Sequence, residues 1–218
     1  MSLLEFQTVS LVNGGKTILD NISVNIDAGD FIAIIGRSGS GKSTFLKLCS
    51  HLVSPTSGKI LYKGKDMLEY RATELRKKIA YCFQIPYLFG DSVMDNLNFP
   101  FSIRNMKPDQ KRINELFSLF NMPPDFLSRD VKNLSGGEKQ RIALIRTLLF
   151  KPEVLLLDEI TSALDTDNMQ IVENAIVSLN KEAITILWIT HNPKQSRRLA
   201  NKLLTIEAGK IKSLEVLK

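Results

Sequence analysis

The chain has 218 residues, 44% of them apolar, enough to bury a sizeable core in one domain, and this excludes a disordered or fibrous protein. Lysine and arginine total 29 against 23 acidic residues, a net +6 that suits an anionic ligand, an anionic membrane face or nucleic acid. The charges are scattered, however, and the densest clusters, Arg76-Lys77-Lys78 and Arg197-Arg198, read as solvated helix faces, so no nucleic-acid partner is expected.

In chain order, Met1 to Val12 lacks the basic flank and apolar stretch of a secretory signal. No later run approaches the ~18 apolar residues a membrane-spanning helix requires. The chain is therefore expected to be soluble by itself, and any path across a bilayer would have to come from another polypeptide. Leu3–Leu11 and Ile22–Ile26 alternate apolar and polar positions, the pattern of half-buried antiparallel strands, with Asn13-Gly14-Gly15 as the turn between them. Phe31–Ile35, Val154–Leu157 and Ile184–Ile189 are continuous apolar runs, expected of parallel strands covered on both faces. Cys49 and Cys82 stand in apolar surroundings without zinc-like or redox spacing, so they read as small buried hydrophobes in a reducing compartment.

Directly after Phe31–Ile35 comes Gly36-Arg37-Ser38-Gly39-Ser40-Gly41-Lys42-Ser43-Thr44, which fits Gly-x-x-x-x-Gly-Lys-Ser/Thr in the strand-to-helix setting that this phosphate loop needs. Its glycines let backbone N–H groups curl around phosphate oxygens, the following helix presents its positive end, Lys42 reaches the outer phosphates, and Ser43 offers a hydroxyl to Mg²⁺. A glycine-rich turn that merely caps a helix explains neither the lysine nor the serine. From Gln84 to Lys132 the pattern changes: five prolines (Pro86, Pro100, Pro108, Pro123, Pro124), an amphipathic segment at Val93–Leu97 and a helix at Asp109–Phe120, with no strand-like run. The economical partition is one domain over 1–218, an α/β nucleotide-binding core from 1–83 and 136–218 interrupted by a helical lobe at 84–135.

Leu134-Ser135-Gly136-Gly137-Glu138-Lys139-Gln140-Arg141 is a second helix start. Ser135 and Glu138 have capping-box spacing, and two consecutive glycines weaken a helix unless something must come near them. Further on, Val154–Leu157 ends in Asp158 and Glu159. Asp158 would hold Mg²⁺, and Glu159, pointing away from it along the strand, would polarise a water for attack on a γ-phosphate. An ordinary acidic loop is the competing reading of this pair.

Together these segments resemble the ATP-binding-cassette ATPases, whose order of motifs covers the chain from about Leu3 to Ile211. The resemblance implies a P-loop fold with a largely parallel central sheet, an antiparallel N-terminal β subdomain and the inserted helical lobe. It further implies an ATP-dependent homodimer in which Ser135, Gly136, Gly137 and Glu138 of one copy meet the γ-phosphate held by the other. By the same resemblance, Gln84 approaches Mg²⁺ and the attacking water, Asp165 in Ser162-Ala163-Leu164-Asp165 crosses the dimer interface, and His191 contacts the γ-phosphate. The plain structural readings are a buried or solvated glutamine, a cap for a helix at Asn168–Leu179, and a structural histidine. Three positions depart from the family pattern: Asn13 stands where an adenine-stacking aromatic is usual, Ile160 where proline is, and Asn192 where an acid is. Stacking contributes about 1 kcal/mol, so adenine is expected to be held less tightly.

Tyr81–Gln84, Leu88–Val93, Asp95–Leu97, Phe99-Pro100, Ile103–Asn105 and Glu159–Asp165 are similar to the ATPase subunit of bacterial Fet-type (YbbL-like) transporters, proposed to export iron. This implies a permease partner and a place on the cytoplasmic face of the membrane. Tyr87, Leu88 and Phe89 are the expected lining of a groove for a short helix of that partner, with core packing as the competing account. Another cargo, or a soluble cassette acting on ribosomes or DNA, are the alternatives. The latter usually carries two cassettes, a coiled coil or a zinc insert, none of which is visible.

Overall fold

A computed structural model describes residues 2–217. β1 (Ser2–Asn13) and β2 (Lys16–Asp27) pair antiparallel with Asn13 opposite Lys16. Gly14 and Gly15 take φ of +55° and +75°, the left-handed pair that a two-residue hairpin needs to match strand twist. Both strands are longer than their strictly alternating segments, and the alternation buries Leu4, Phe6, Val9, Leu19, Ile22 and Ile26 on one side. β3 (Phe31–Ile35) runs into α1 (Lys42–Cys49), after which β4 (Ser57–Tyr62) returns to β1 and carries β5 (Lys65–Asp66) at its edge. The first sheet is therefore antiparallel throughout, in the order β2-β1-β4-β5.

α2 (Ala72–Lys78) leads to β6 (Ile79–Cys82). Its last turn holds Arg76, Lys77 and Lys78, where cations favour the negative helix end. Next come α3 (Val93–Ser102), α4 (Gln110–Leu119) and α5 (Gly136–Leu148). α3 outruns the apolar segment Val93–Leu97 because Ser92 and Asp95 close a capping box at its start. Pro100 falls in its last turn and forgoes only one intrahelical bond. β7 (Val154–Asp158), α6 (Thr166–Lys181), β8 (Thr185–Ile189), α7 (Pro193–Leu199), β9 (Lys202–Glu207) and β10 (Lys210–Val216) complete the chain.

The second sheet has the order β10-β9-β3-β8-β7-β6. Pairings β9–β3, β3–β8 and β8–β7 are parallel, and β10 joins β9 antiparallel as an edge. Every residue of β7 and β8 is buried, which is why these strands read as unbroken apolar runs.

The chain divides into two compact units. The first holds the chain up to Tyr81, Pro152–Glu159 and everything from Leu179 on. Its apolar core joins the inner face of β1 and β2 to α1 and the parallel strands, with Phe6 stacked on Phe45 at 4.7 Å. The second holds Cys82–Lys151 and Ile160–Ser178, so α5 and most of α6 accompany the proline-rich insert. Within it α3 and α4 both pack on α5. Cys49 and Cys82 are buried, and burial pushes both thiols up, Cys82 to about 12, so neither is a reactive thiolate.

Candidate active site

In the first unit, three segments leave the same ends of adjacent parallel strands. The register sets Ile34 of β3 and Asp158 of β7 both opposite Ile189 of β8. The phosphate loop after β3, Glu159 after β7 and His191 beyond β8 thus converge at the carboxyl edge of the sheet, where open α/β sheets place their ligands.

Two of the loop's glycines stand where a side chain would collide. A Cβ on Gly36 would stand 2.1 Å from the Ile206 carbonyl oxygen, and one on Gly41, at φ +100°, would stand 2.7 Å from Leu19 Cδ2. Gly41 caps α1 in a left-handed conformation, with no side-chain cap and no acid in the first turn. The positive end of α1 is therefore left open to an external anion. Lys42 is buried, and its Nζ donates to the carbonyls of Gly36 at 2.9 Å and Arg37 at 3.0 Å, closing the loop on itself. The buried Ser40 hydroxyl has no hydrogen-bond partner among the described residues. Uncapped amides, a buried ammonium and an orphaned hydroxyl fit a nucleotide's phosphates.

Ser43, in the first turn of α1, donates from Oγ to Asp158 Oδ1 at 3.0 Å, while Tyr81 donates its hydroxyl to Asp158 Oδ2 at 2.6 Å. One hydroxyl and one carboxylate are hard oxygen donors that suit Mg²⁺. Among the described residues no group of three His, Cys, Asp or Glu side chains is arranged to hold a metal. A cation at Ser43 and Asp158 would take its remaining ligands from water and phosphate. Nothing local in the sequence pairs Tyr81 with Asp158, 77 positions away.

Glu159 follows Asp158 with φ +50°, a left-handed conformation that costs a non-glycine residue about 1 kcal/mol or more. Its N–H is held by the Ile189 carbonyl at 3.2 Å, and its Oε1 lies 2.7 Å from His191 Nε2. The strained turn aims a carboxylate off the sheet edge instead of along the strand. Asn192, next to His191, accepts from the N–H groups of Lys194 and Gln195 and so caps α7. Asn13 is exposed at the tip of the β1–β2 hairpin.

The remaining expected site residues belong to the second unit. Ser135 Oγ accepts from the Glu138 N–H at 3.3 Å and Glu138 Oε2 accepts from the Ser135 N–H at 2.6 Å, a closed capping box at the start of α5. A Cβ on Gly136 would meet nothing within 4 Å, whereas one on Gly137 would stand 2.9 Å from Asn168 Cγ. Asp165 accepts from the Asn168 backbone N–H at 2.8 Å and from Asn168 Nδ2 at 2.7 Å. Those two hydrogen bonds hold its carboxyl below the usual carboxylate range. Gln84 is exposed, and Ile160 is buried, an apolar role that proline would also serve.

Of the three expected groove residues, Tyr87 is 76% exposed, whereas Leu88 and Phe89 are half-buried. Phe89 packs edge-on against Phe99 at 4.7 Å and lies under the Arg146 guanidinium. Arg146, which sequence reading passed over, also donates to Asn96 Oδ1 at 2.9 Å and to the Tyr87 carbonyl at 2.8 Å, fixing the loop that presents Tyr87. Phe83, Ile85 and Ile103 are more exposed than Phe89 and extend the apolar surface.

A family model described as ABC transporter matches residues 19–162. The curated relatives include "Probable iron export ATP-binding protein FetA" of Escherichia coli (strain K12), 46% identical over 94% of this chain and 91% of that protein. They also include "Methionine import ATP-binding protein MetN" of Geobacillus kaustophilus (strain HTA426), 37% identical over 91% of this chain and 60% of that protein. Among solved structures, a dimeric post-hydrolysis state of the ATP-binding cassette MJ0796 bound to ADP and Pi superposes with a TM-score of 0.87, at 26% identity, over 99% of both chains. The chain belongs to the ABC transporter family, as one of its ATPase subunits. Among the described residues no helix is long and apolar enough to cross a membrane.

Proposed function

We propose that this chain binds and hydrolyses ATP as a homodimer on the cytoplasmic face of a membrane, docked on an integral permease subunit, and that the transporter exports metal, with iron as the cargo. The observation that carries the hydrolytic reading is the edge-of-sheet pair Glu159–His191, 2.7 Å apart, beside an Asp158 already oriented by Ser43.

The phosphate loop from Gly36 to Thr44 binds the nucleotide, with Lys42 leaving the carbonyls of Gly36 and Arg37 for the outer phosphates. Mg²⁺ held by Ser43 and Asp158 would supply charge neutralisation at the phosphate oxygens, and Gln84 is the family-implied further contact to it. Glu159 Oε accepts a proton from the attacking water as its oxygen bonds to the γ-phosphorus and the bond to the bridging oxygen breaks. His191 Nε2 orients Glu159 in the resting chain and is freed to meet the γ-phosphate. Ser135, Gly136, Gly137 and Glu138 complete the partner's site, and Asp165 faces the partner. Within the second unit, Phe83, Ile85 and Tyr87 offer the apolar surface that a short permease helix would cover.

Iron export is supported by the 46% identity to an iron-export ATPase along nearly the full length of both chains. A different cargo is the second reading, favoured by the 37% identity to a methionine-import ATPase. Replacing Glu159 by Gln tests the chemistry: turnover should fall by about a hundredfold or more while ATP-dependent dimers persist in sedimentation. Undiminished turnover removes Glu159 from its role. Purifying the native membrane complex tests the partner, and metal efflux from vesicles carrying it tests the cargo.

A further inference from the structure

Gly137, the second glycine of the segment Ser135–Glu138 that serves as the family's signature, has a reason to be glycine that lies inside its own chain. Gly137 opens α5 with a conformation open to any residue, since its φ is not left-handed. Yet a Cβ there would press on the Asn168 side chain, 2.9 Å from Cγ and 3.0 Å from Nδ2. The neighbouring Gly136 faces open space, so the two adjacent glycines meet different constraints.

An asparagine amide is usually free to swing aside. Here Asn168 is pinned in the first turn of α6 through Nδ2 on Asp165 Oδ2 at 2.7 Å, while its N–H binds Asp165 Oδ1 at 2.8 Å. Moving the amide away from residue 137 breaks the side-chain bond to Asp165. The buried Arg141, one turn along α5 from Gly137, adds attraction to both Asp165 and Glu138. The start of α5 and the start of α6 are thus registered through one side chain.

We propose that Asn168 is a positioning residue that couples the Asp165 loop to the signature glycines of the same subunit, and that Gly137 is glycine to seat Asn168. Any shift of Asp165 carries the Asn168 amide with it and alters the support beneath Gly137, so the two interface segments move as one piece. This rests on the reading that α5 presents a trans nucleotide site, and the test separates the two.

Four variants are compared for ATP turnover, ATP-dependent self-association and unfolding midpoint: Gly136→Ala, Gly137→Ala, Asn168→Ala and the double Gly137→Ala with Asn168→Ala. Gly137→Ala should lose about tenfold or more in turnover, Asn168→Ala about threefold or less, and the double variant should regain to within about threefold of Asn168→Ala. Should Gly137→Ala fail to fold while the double variant folds, the same rescue is read in the unfolding midpoint. A double variant no better than Gly137→Ala overturns the coupling. If Gly136→Ala and Gly137→Ala both turn over at the wild-type rate, the trans-site reading itself fails, and the coupling with it.

Discussion

α1 and α5 both begin at glycine-rich segments, but they are finished in opposite ways. α1 starts from Gly41 in a left-handed conformation, with neither a side-chain cap nor an acid in its first turn. α5 starts from Ser135, whose N–H and hydroxyl are both engaged by Glu138. Four orphan N–H groups at a helix start must find partners somewhere. At α1 those partners are left to the ligand, and the loop before it is held in shape by Gly36 and Gly41 and by the Lys42 bonds. At α5 the chain satisfies part of the demand itself. The open helix end is the one suited to hold an anion tightly, while the capped end, on the function proposed above, adds contacts to an anion held elsewhere.

The contrast can be broken most severely at Gly41. Alanine there incurs left-handed strain of about 1–2 kcal/mol and overlap with Leu19 of about 1–3 kcal/mol, so the loop abandons its shape. Nucleotide affinity measured by calorimetry should fall by about a hundredfold or more. An unchanged affinity would mean that the open end of α1 does not set binding.

A smaller effect is expected where the first turn of α1 meets Asp158, the proposed metal carboxylate. Tyr81→Phe removes the 2.6 Å donor to Asp158 Oδ2 and leaves the Ser43 hydroxyl on Oδ1. The Mg²⁺ concentration for half-maximal turnover should rise by about tenfold, as for other residues that orient a metal ligand. Nucleotide binding without divalent cation should stay as it was. A shift in cation-free binding instead would assign Tyr81 to loop structure.

Ser135→Ala sharpens the comparison from the other side and has the smallest effect. Loss of a serine cap costs about 1 kcal/mol, or about 2–4 °C in melting midpoint for a chain of this size. ATP affinity of a single subunit should remain within about twofold, since α5 is not expected to serve its own nucleotide. A large loss of single-subunit affinity would contradict the division of labour between the two helix starts.

What the residues reveal by themselves is local. The phosphate loop, the capping boxes at Ser92 and Ser135 and the β1–β2 turn are written in spacings of a few residues, because the interactions that make them span one turn of chain. The buried parallel strands are equally legible, since covering both faces leaves no polar position in Val154–Leu157. Partnerships across long stretches of chain are not. The short strand β4 with β5 at its edge, the β9–β10 hairpin, Tyr81 on Asp158, His191 on Glu159 and the seating of Gly137 on Asn168 exist only once the chain is packed. Tyr87 and Phe89 sit two positions apart in the same loop, yet Arg146 and Phe99 cover one and leave the other exposed. Composition and spacing thus determined which chemistry this chain carries and where along it the charged and glycine positions fall. Tertiary packing decided which neighbour restrains each of them, because hydrogen-bond partners and steric limits depend on distance in space and not on distance along the sequence.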